Sequence, residues 1–485
     1  MMILSMLKNQ KGIAILSVYV ASAFIAVLST SAFGRAFWEA RHDENEVTRV
    51  QSYAAAEAGL QRAIAQIGQN AYTGFINTAA ISQPTFQSTA GINVGSYTVN
   101  IQYPNSADWV IIQSSGTVNG ETRNLEGRVF LDSNLSKYLV YADAGTFSSG
   151  DSAQYGTSNG VDPQGVPANE DDRTMMYFTG NWDISGVNAH LYGDALAEGT
   201  ITGIASAYVH GDTYAQAFAQ NGSGAVTNSG VVGALNVGDG FADDTDRNHD
   251  GVVNATDQPD RHDLTADGGG DAKPVDTLVP MDLNFYAAHN NVSALSSGAA
   301  ANHYLQFQPV AGSNNTQVVE YTSSTYATVK STYTLPQTAI VYVNGDAFVK
   351  GQIQGRISVA ASDDIHFMGD VTYAGGSMQA SANNSAAFLS KDILYFKPNT
   401  LSVAGILYAE NTSNSAAAFD ASYNVNGVVD TASKVSLNLS GNRIIEGGTN
   451  LSYYDSRVYG YDQNLKYYRP PGIPVYPDLR VVRET

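Results

Sequence analysis

The stretch "IAILSVYVASAFIAVLSTSAF" (13–33) runs without a break into "GRAFWEARHDENEVTRVQSYAAAEAGLQRAIAQI" (34–67), and this junction decides the fold. Its first part is 21 residues with no charge and no proline, long enough to cross a bilayer as a helix of about 20 residues. Lys8 and Lys11 precede it, as expected at the end left in the cytoplasm. A secretory signal would instead end a shorter apolar region in small residues and a cleavage site. The second part also lacks proline and is rich in Ala, Glu, Gln and Arg, which favours a continuing helix. Val47, Val50, Ala54, Leu60, Ile64 and Ile67 recur at three- and four-residue steps and predict one apolar face. A single helix over 13–70 would be about 85 Å long at 1.5 Å per residue, half in lipid and half projecting.

Three features here resemble the type IV pilin superfamily: a short basic leader (1–12) ending in Gly12, the uncharged transmembrane segment 13–33, and the amphipathic continuation. The segment "YAAAEAGLQRAIA" (53–65) is similar to the corresponding helix of PilX-type minor pilins. The resemblance implies cleavage between Gly12 and Ile13 by the prepilin peptidase, methylation of Ile13, and assembly with other pilin subunits through the helix. It also implies residence in the inner membrane of a bacterium before assembly, then in an extracellular filament. Ser17 departs from the pattern, because most major pilins carry there a Glu that neutralises a neighbouring N-terminus. Some minor and tip subunits lack that Glu too. Gly34 falls where the family helix often carries a residue that lets it loosen. An uncleaved signal anchor is the plainer alternative, but anchoring alone demands neither Gly12 nor the long Ala-rich stalk.

Downstream, "GSYTVNIQYP" (95–104), "DWVIIQSSGTVNG" (108–120) and "ETRNLEGRVFLDS" (121–133) alternate in polarity, with an Asn119-Gly120 turn between the last two. They predict an antiparallel meander within 71–133. Helix plus small sheet is the minimal architecture the resemblance implies, so the fold class is α+β.

The remaining residues, 134–485, read as a large all-β domain. Short alternating runs are punctuated by Gly-Asp at 193–194, 211–212, 345–346 and 369–370. That spacing suggests a β-solenoid, with a β-sandwich as the alternative. The part from about 338 to the end also resembles a C-terminal domain of unknown function found behind PilX-like N-termini. Its matching pieces are "VYVNGDAFVKGQIQGRISVAASDDIHFMGDVTYA" and "YYDSRVYGYDQNLKYYRPPGIPVYPDLRVV". Pro470, Pro471, Pro474 and Pro477 make the tail extended, and it is expected to lie across the domain surface.

An insertion at about 222–290 carries "DRNHDGVVNATD" (246–257). Its spacing fits the calcium-binding EF-hand loop. Asp246, Asn248 and Asp250 stand at positions 1, 3 and 5, and Gly251 makes the turn. The Val252 carbonyl, Asn254 and Asp257 take positions 7, 9 and 12. Calcium takes six to eight hard oxygens, which one wrapped loop nearly supplies. The closing Asp resembles the dockerin-type calcium loop. Against this stands a solvated acidic loop. With three carboxylates the expected affinity is about 10⁻⁴–10⁻³ M.

Composition sets outer bounds. The 485 residues carry a net charge of −20, 46 glycines, 29 tyrosines and no cysteine. The absence of cysteine excludes disulfides and thiolate metal sites, and the acidic surface argues against nucleic acid as a partner. A β-solenoid is also the scaffold of polysaccharide-active enzymes, but the eight histidines show no HExxH spacing. Asp363-Asp364 with Arg356 is the one arrangement with acid–base interest, and a turn is its simpler role. His210 and His366, each beside a strand-corner glycine, read as surface residues. The expectation is a structural subunit, not an enzyme, displaying a β domain that takes a surface or glycan ligand.

Overall fold

The computed structural model describes residues 2–69, 79, 81–87, 93–103, 109–133, 135, 138–143, 146–148, 153–155, 175–184, 190–191, 194–203, 207–209, 213–220, 235–237, 261–263, 281–397, 400–412, 419–421, 436–440, 443–445, 449–451, 454, 456–460, 462 and 464–484. A long N-terminal helix is followed by a large β-rich region. The helix, α1 (Met2–Gln69), is continuous through Gly12 and Gly34, about 100 Å at 1.5 Å per residue. Gly34 has open space around it and does not interrupt the helix.

The second half of α1 lies on an antiparallel sheet of five strands. Four are β1 (Ile81–Gln87), β2 (Asn93–Gln102), β3 (Trp109–Val118) and β4 (Glu121–Asp132). The fifth is the C-terminal strand Tyr476–Glu484, which pairs with β4 at the edge. β3 and β4 meet through Asn119 and Gly120, both at positive φ (49° and 85°), as the two-residue hairpin turn requires. Strict alternation along β3 turns Val110, Ile112, Ser114, Gly116 and Val118 inward. Leu60, Ala63 and Ile67 from α1 close this small core with Tyr97, Val99, Ile101, Val129 and Leu131.

The packed stripe of α1 differs from the one read in the sequence. It comprises Ser52, Ala55, Ala56, Gly59, Leu60, Ala63 and Ile67. Val47 and Val50 are 55% and 64% exposed, and Ala54 also faces solvent. The helix meets the sheet only from Ser52 onward: Leu60 and Ile67, with Ile64 beside them, pack as the periodicity predicts, and small residues, Ala55, Ala56, Gly59 and Ala63, make the rest of the contact.

In the large region the chain passes back and forth between a 12-stranded and a 15-stranded sheet. Among the described strands pairing is parallel, except where His303–Pro309, Thr316–Tyr321 and Val329–Leu335 form an antiparallel meander at one end. Parallel partners need crossover connections, and here the crossover includes a strand of the other sheet. Thr338 pairs with Arg356 and Ala347 with Ile365, each 18 residues on. Ala195 pairs with Thr213, also 18 residues on, which matches the Gly193/Gly211 spacing. Gly369-Asp370 is not a corner. It lies within the strand Ile365–Tyr373, where three residues oppose Lys350 alone in a bulge. There Asp370 Oδ1 accepts the Leu401 and Ser402 N–H groups at 2.7 and 3.0 Å.

The order of strands reveals the route of the chain. Val140–Ala142 enters beside Arg443–Ile445, in the middle of the 12-stranded sheet. From there the ladder runs out to Arg261–Asp263 at one end. It resumes at the opposite end with Thr338–Val343 and winds back to the middle. One apolar core, from Leu139 and Trp182 to Phe367 and Tyr459, is common to both halves. Entry and exit are therefore neighbours. The large region stands as an insertion between β4 and the C-terminal strand, which are themselves adjacent.

The tail thus does more than cover a surface. Ile473 is buried in the large core and Val475 in the small one, so the tail passes from one to the other.

Candidate functional site

The exposed half of α1 is the candidate site for assembly. From Ser17 to Val47 every residue is exposed, including Tyr19 (75%) and Trp38 (67%). Its window of highest hydropathy is long and apolar enough to cross a membrane. Past Phe33 the surface becomes charged, with Arg35–Glu39 at 3.0 Å and Arg49–Glu46 at 3.7 Å along the helix. Such pairs stabilise an exposed helix by only a few tenths of a kcal/mol. Apolar surface of this kind costs free energy in water and needs lipid or another apolar surface. Ser17 is exposed at the start of this face and brings no charge to it. Gly12 and Ile13 lie in the continuous helix, with side chains outside the described residues.

The docked half is what holds this face out, and its determinants were not apparent in the sequence. Ser114 Oγ donates to the Ala56 carbonyl at 2.6 Å, in the buried interface. A Cβ on Gly59 would stand 2.4 Å from Ser114 Oγ, and one on Gly116 would stand 2.2 Å from the Ser52 carbonyl oxygen. Gly127 is likewise filled, by Leu60. The signal was the run "SSG" (114–116), where small residues occupy the inward positions of an otherwise apolar strand.

The acidic residues singled out in the sequence are divided by the fold. Arg356 starts the strand Gly355–Ala361, whereas Asp363 and Asp364 lie beyond its end. Burial lowers the Arg356 pKa, and Tyr103, just past β2, acts in the opposite direction. Asp364 instead lies beside acidic residues of neighbouring strand ends. Asp346, Asp364 and His366 each offer an atom within 4.8 Å of the others, and Asp363, Asp364 and Asp392 form a second such group. These carboxylates act as rungs. Asp346 Oδ1 accepts the Asp364 N–H at 3.4 Å, and Asp364 Oδ1 accepts the Ile393 N–H at 2.9 Å. The simple turn role is the one the structure displays.

His366 is not a surface residue. It is buried between Phe348 and Tyr395, with ring centroids 4.2 and 4.8 Å away. In-register parallel pairing stacks these three rings. Burial pushes the imidazole pKa down to about 3, so it is neutral at physiological pH.

Burial, reinforced by the charges of Asp363, Asp346 and Asp392, raises the Asp364 pKa to about 7, against the lowering effect of the Ile393 bond. A carboxyl whose folded pKa is raised costs stability as pH climbs from its unfolded value near 4 to about 7. Asp364→Asn keeps the acceptor and removes the charge. We expect a gain of about 1–2 kcal/mol at pH 8, allowing for solvent screening of a half-buried group, and none at pH 4. Melting temperatures of both proteins across that range are the check. A pH-independent difference would contradict the assignment.

Asp246, Asn248, Asp250, Val252, Asn254 and Asp257 lie outside the described residues, as does His210.

No protein-family model matches the sequence, and no curated protein matches it. Among solved structures, the chain is similar to the competence-associated pilin ComZ from Thermus thermophilus. The two are 13% identical, with 90% of this chain and 97% of that one covered, at a TM-score of 0.29.

Proposed function

We propose that this chain is a structural, pilin-like subunit of a type IV pilus or related filament, and not an enzyme. The observation that carries the reading is the division of α1. From Ser17 to Phe33 it is bare and apolar, while from Ser52 onward it is fixed to an antiparallel sheet. A membrane anchor needs only a spanning segment. A helix that must leave lipid and pack among copies also needs a rigid body at its far end. The leader ending at Gly12 supports the same reading. Prepilin peptidase cuts before Ile13, the inner membrane holds 13–33 until assembly, and other subunits then replace lipid around the helix.

Ser17 and the bulk of the β region favour a minor or tip subunit. The coiled, solenoid-like reading of the ladders makes the distal region a long displayed module, suited to adhesion to a surface or glycan. The test is the stoichiometry of sheared surface filaments. This chain is expected far below the main subunit, and its presence as the main band would overturn the minor role.

Calcium at Asp246, Asn248, Asp250, Val252, Asn254 and Asp257 belongs to the same proposal, as a brace for an exposed segment. At about 10 mM calcium, roughly 10- to 100-fold above the expected dissociation constant, melting should rise by about 2 degrees. Asp246→Ala with Asp250→Ala should abolish that rise. A rise that survives both substitutions removes the metal site from the loop.

A further inference from the structure

We infer that residues 469–484 are a latch: they complete the helix-bearing sheet only once the large β region has folded around their proximal half. The chain crosses between the two cores twice, after β4 and again at 469–476. The crossings are bonded to each other, since buried Ser133 donates to the Pro474 carbonyl at 2.6 Å across 341 residues of chain.

The proximal half of the segment belongs to the large region. Buried Tyr286 donates to the Gly472 carbonyl at 2.6 Å, and buried Ser358 donates to that of Pro471. Gly472 takes φ +76°, and a Cβ there would be 3.0 Å from both Ile340 and Tyr286. These partners come from 286–358, so this anchor exists only after that end of the ladder has formed. Pro470, Pro471, Pro474 and Pro477 restrict the segment in advance and lower the entropy lost on docking.

The distal half belongs to the helix unit. Tyr476–Glu484 pairs with β4 from Asp132 to Leu125. Arg483 meets Glu126 at 2.6 Å and Arg123 meets Glu484 at 2.9 Å. Pro477 lies over the end of α1, 3.4 Å from where a Cβ of Gly68 would be. Without this strand, β4 would be an open edge with unpaired N–H and C=O groups, prone to wrong pairing. Local sequence can build α1 with β1–β4, but the edge is closed by residues that follow the large region in the chain and are held by it. The helix unit therefore reaches full protection only in a chain whose displayed region is folded. This inference does not depend on the helix assembling into a filament.

The test is amide hydrogen exchange on the full chain in detergent. In the parent, β4 amides are expected to be protected like those of Thr338–Val343. Val475→Asp with Leu479→Asp should lower β4 protection by about 100-fold while Thr338–Val343 is unchanged. The milder Arg483→Ala should lower it by a smaller factor, confined to the half of β4 near Glu126. Unchanged β4 protection in both variants would overturn the latch. So would parallel loss in β4 and in Thr338–Val343, which would make the tail part of one cooperative unit rather than a latch between two.

Discussion

Gly116→Ala should release the docked half of α1 from its sheet. β3 is held by β2 on one side and β4 on the other, so it cannot slide away. The new methyl would stand 2.2 Å from the Ser52 carbonyl oxygen and 2.3 Å from the Ala56 nitrogen. Both are backbone atoms of a helix, and no side-chain rotation relieves them. The Ser114–Ala56 hydrogen bond, two residues away, fixes the same separation. Overpacking of this kind costs about 1–3 kcal/mol, and a backbone clash belongs at the upper end. Denaturant unfolding of the detergent-solubilised chain gives the number. Gly34→Ala is the internal control, because Gly34 is helical with open space around it. There the same substitution should cost nothing and favour the helix by up to about 1 kcal/mol. Equal effects at the two sites would refute close approach as the cause.

Glu320→Ala should have the other large effect, at the far end of the ladder. Glu320 is 2% exposed and faces the core on the strand Thr316–Tyr321, beside Val318. Its carboxylate accepts from Lys330 Nζ at 2.7 Å, His303 Nδ1 at 2.9 Å and Tyr333 Oη at 3.0 Å. A carboxylate only accepts, so the His303 proton lies on Nδ1. Burial pushes the Glu320 pKa up, but the bonds from Lys330, His303 and Tyr333 outweigh it and hold the pKa below the usual value. A depressed carboxyl pKa stabilises above the unfolded value near 4.5, and the stabilisation is lost as pH falls from there through the folded value. Removing the acid leaves the buried His303 N–H unmatched, while Lys330, which is half exposed, and the partly buried Tyr333 turn to water, at about 1–3 kcal/mol at pH 7. The penalty should shrink below pH 4. Melting temperatures at pH 7 and pH 3.5 decide it, and a penalty equal at both would contradict the ionised role.

What the sequence disclosed follows from the range of the forces involved. The helix, the three alternating strands and the Asn119-Gly120 turn are local patterns, and each is where periodicity and turn chemistry put it. The 18-residue return of the ladders was visible in Gly193/Gly211, because the parallel partner recurs at that spacing. The Gly345/Gly369 spacing misled, because a bulge uses glycine and aspartate as a corner does. The stripe of α1 was misplaced toward Val47 and Val50, because periodicity marks apolar residues but not which of them find a surface. Contact there is made by Ala55, Ala56 and Gly59, whose value is their small size. His366 read as a surface residue because the rings that bury it, Phe348 and Tyr395, come from neighbouring strands distant in sequence. The β4 partner at 476–484 was invisible for the same reason, since no local pattern records pairing across 344 to 359 residues.

The central claim is that α1 is a processed assembly helix and not a simple anchor. Mass spectrometry of the N-terminal peptide of the mature chain, from its native bacterial envelope, addresses it most directly. The account predicts a chain beginning at Ile13 with a methylated amino group, the residues before Gly12 and Gly12 itself having been removed. A mature chain that retains Met1 or Met2, with the leader intact, would contradict it.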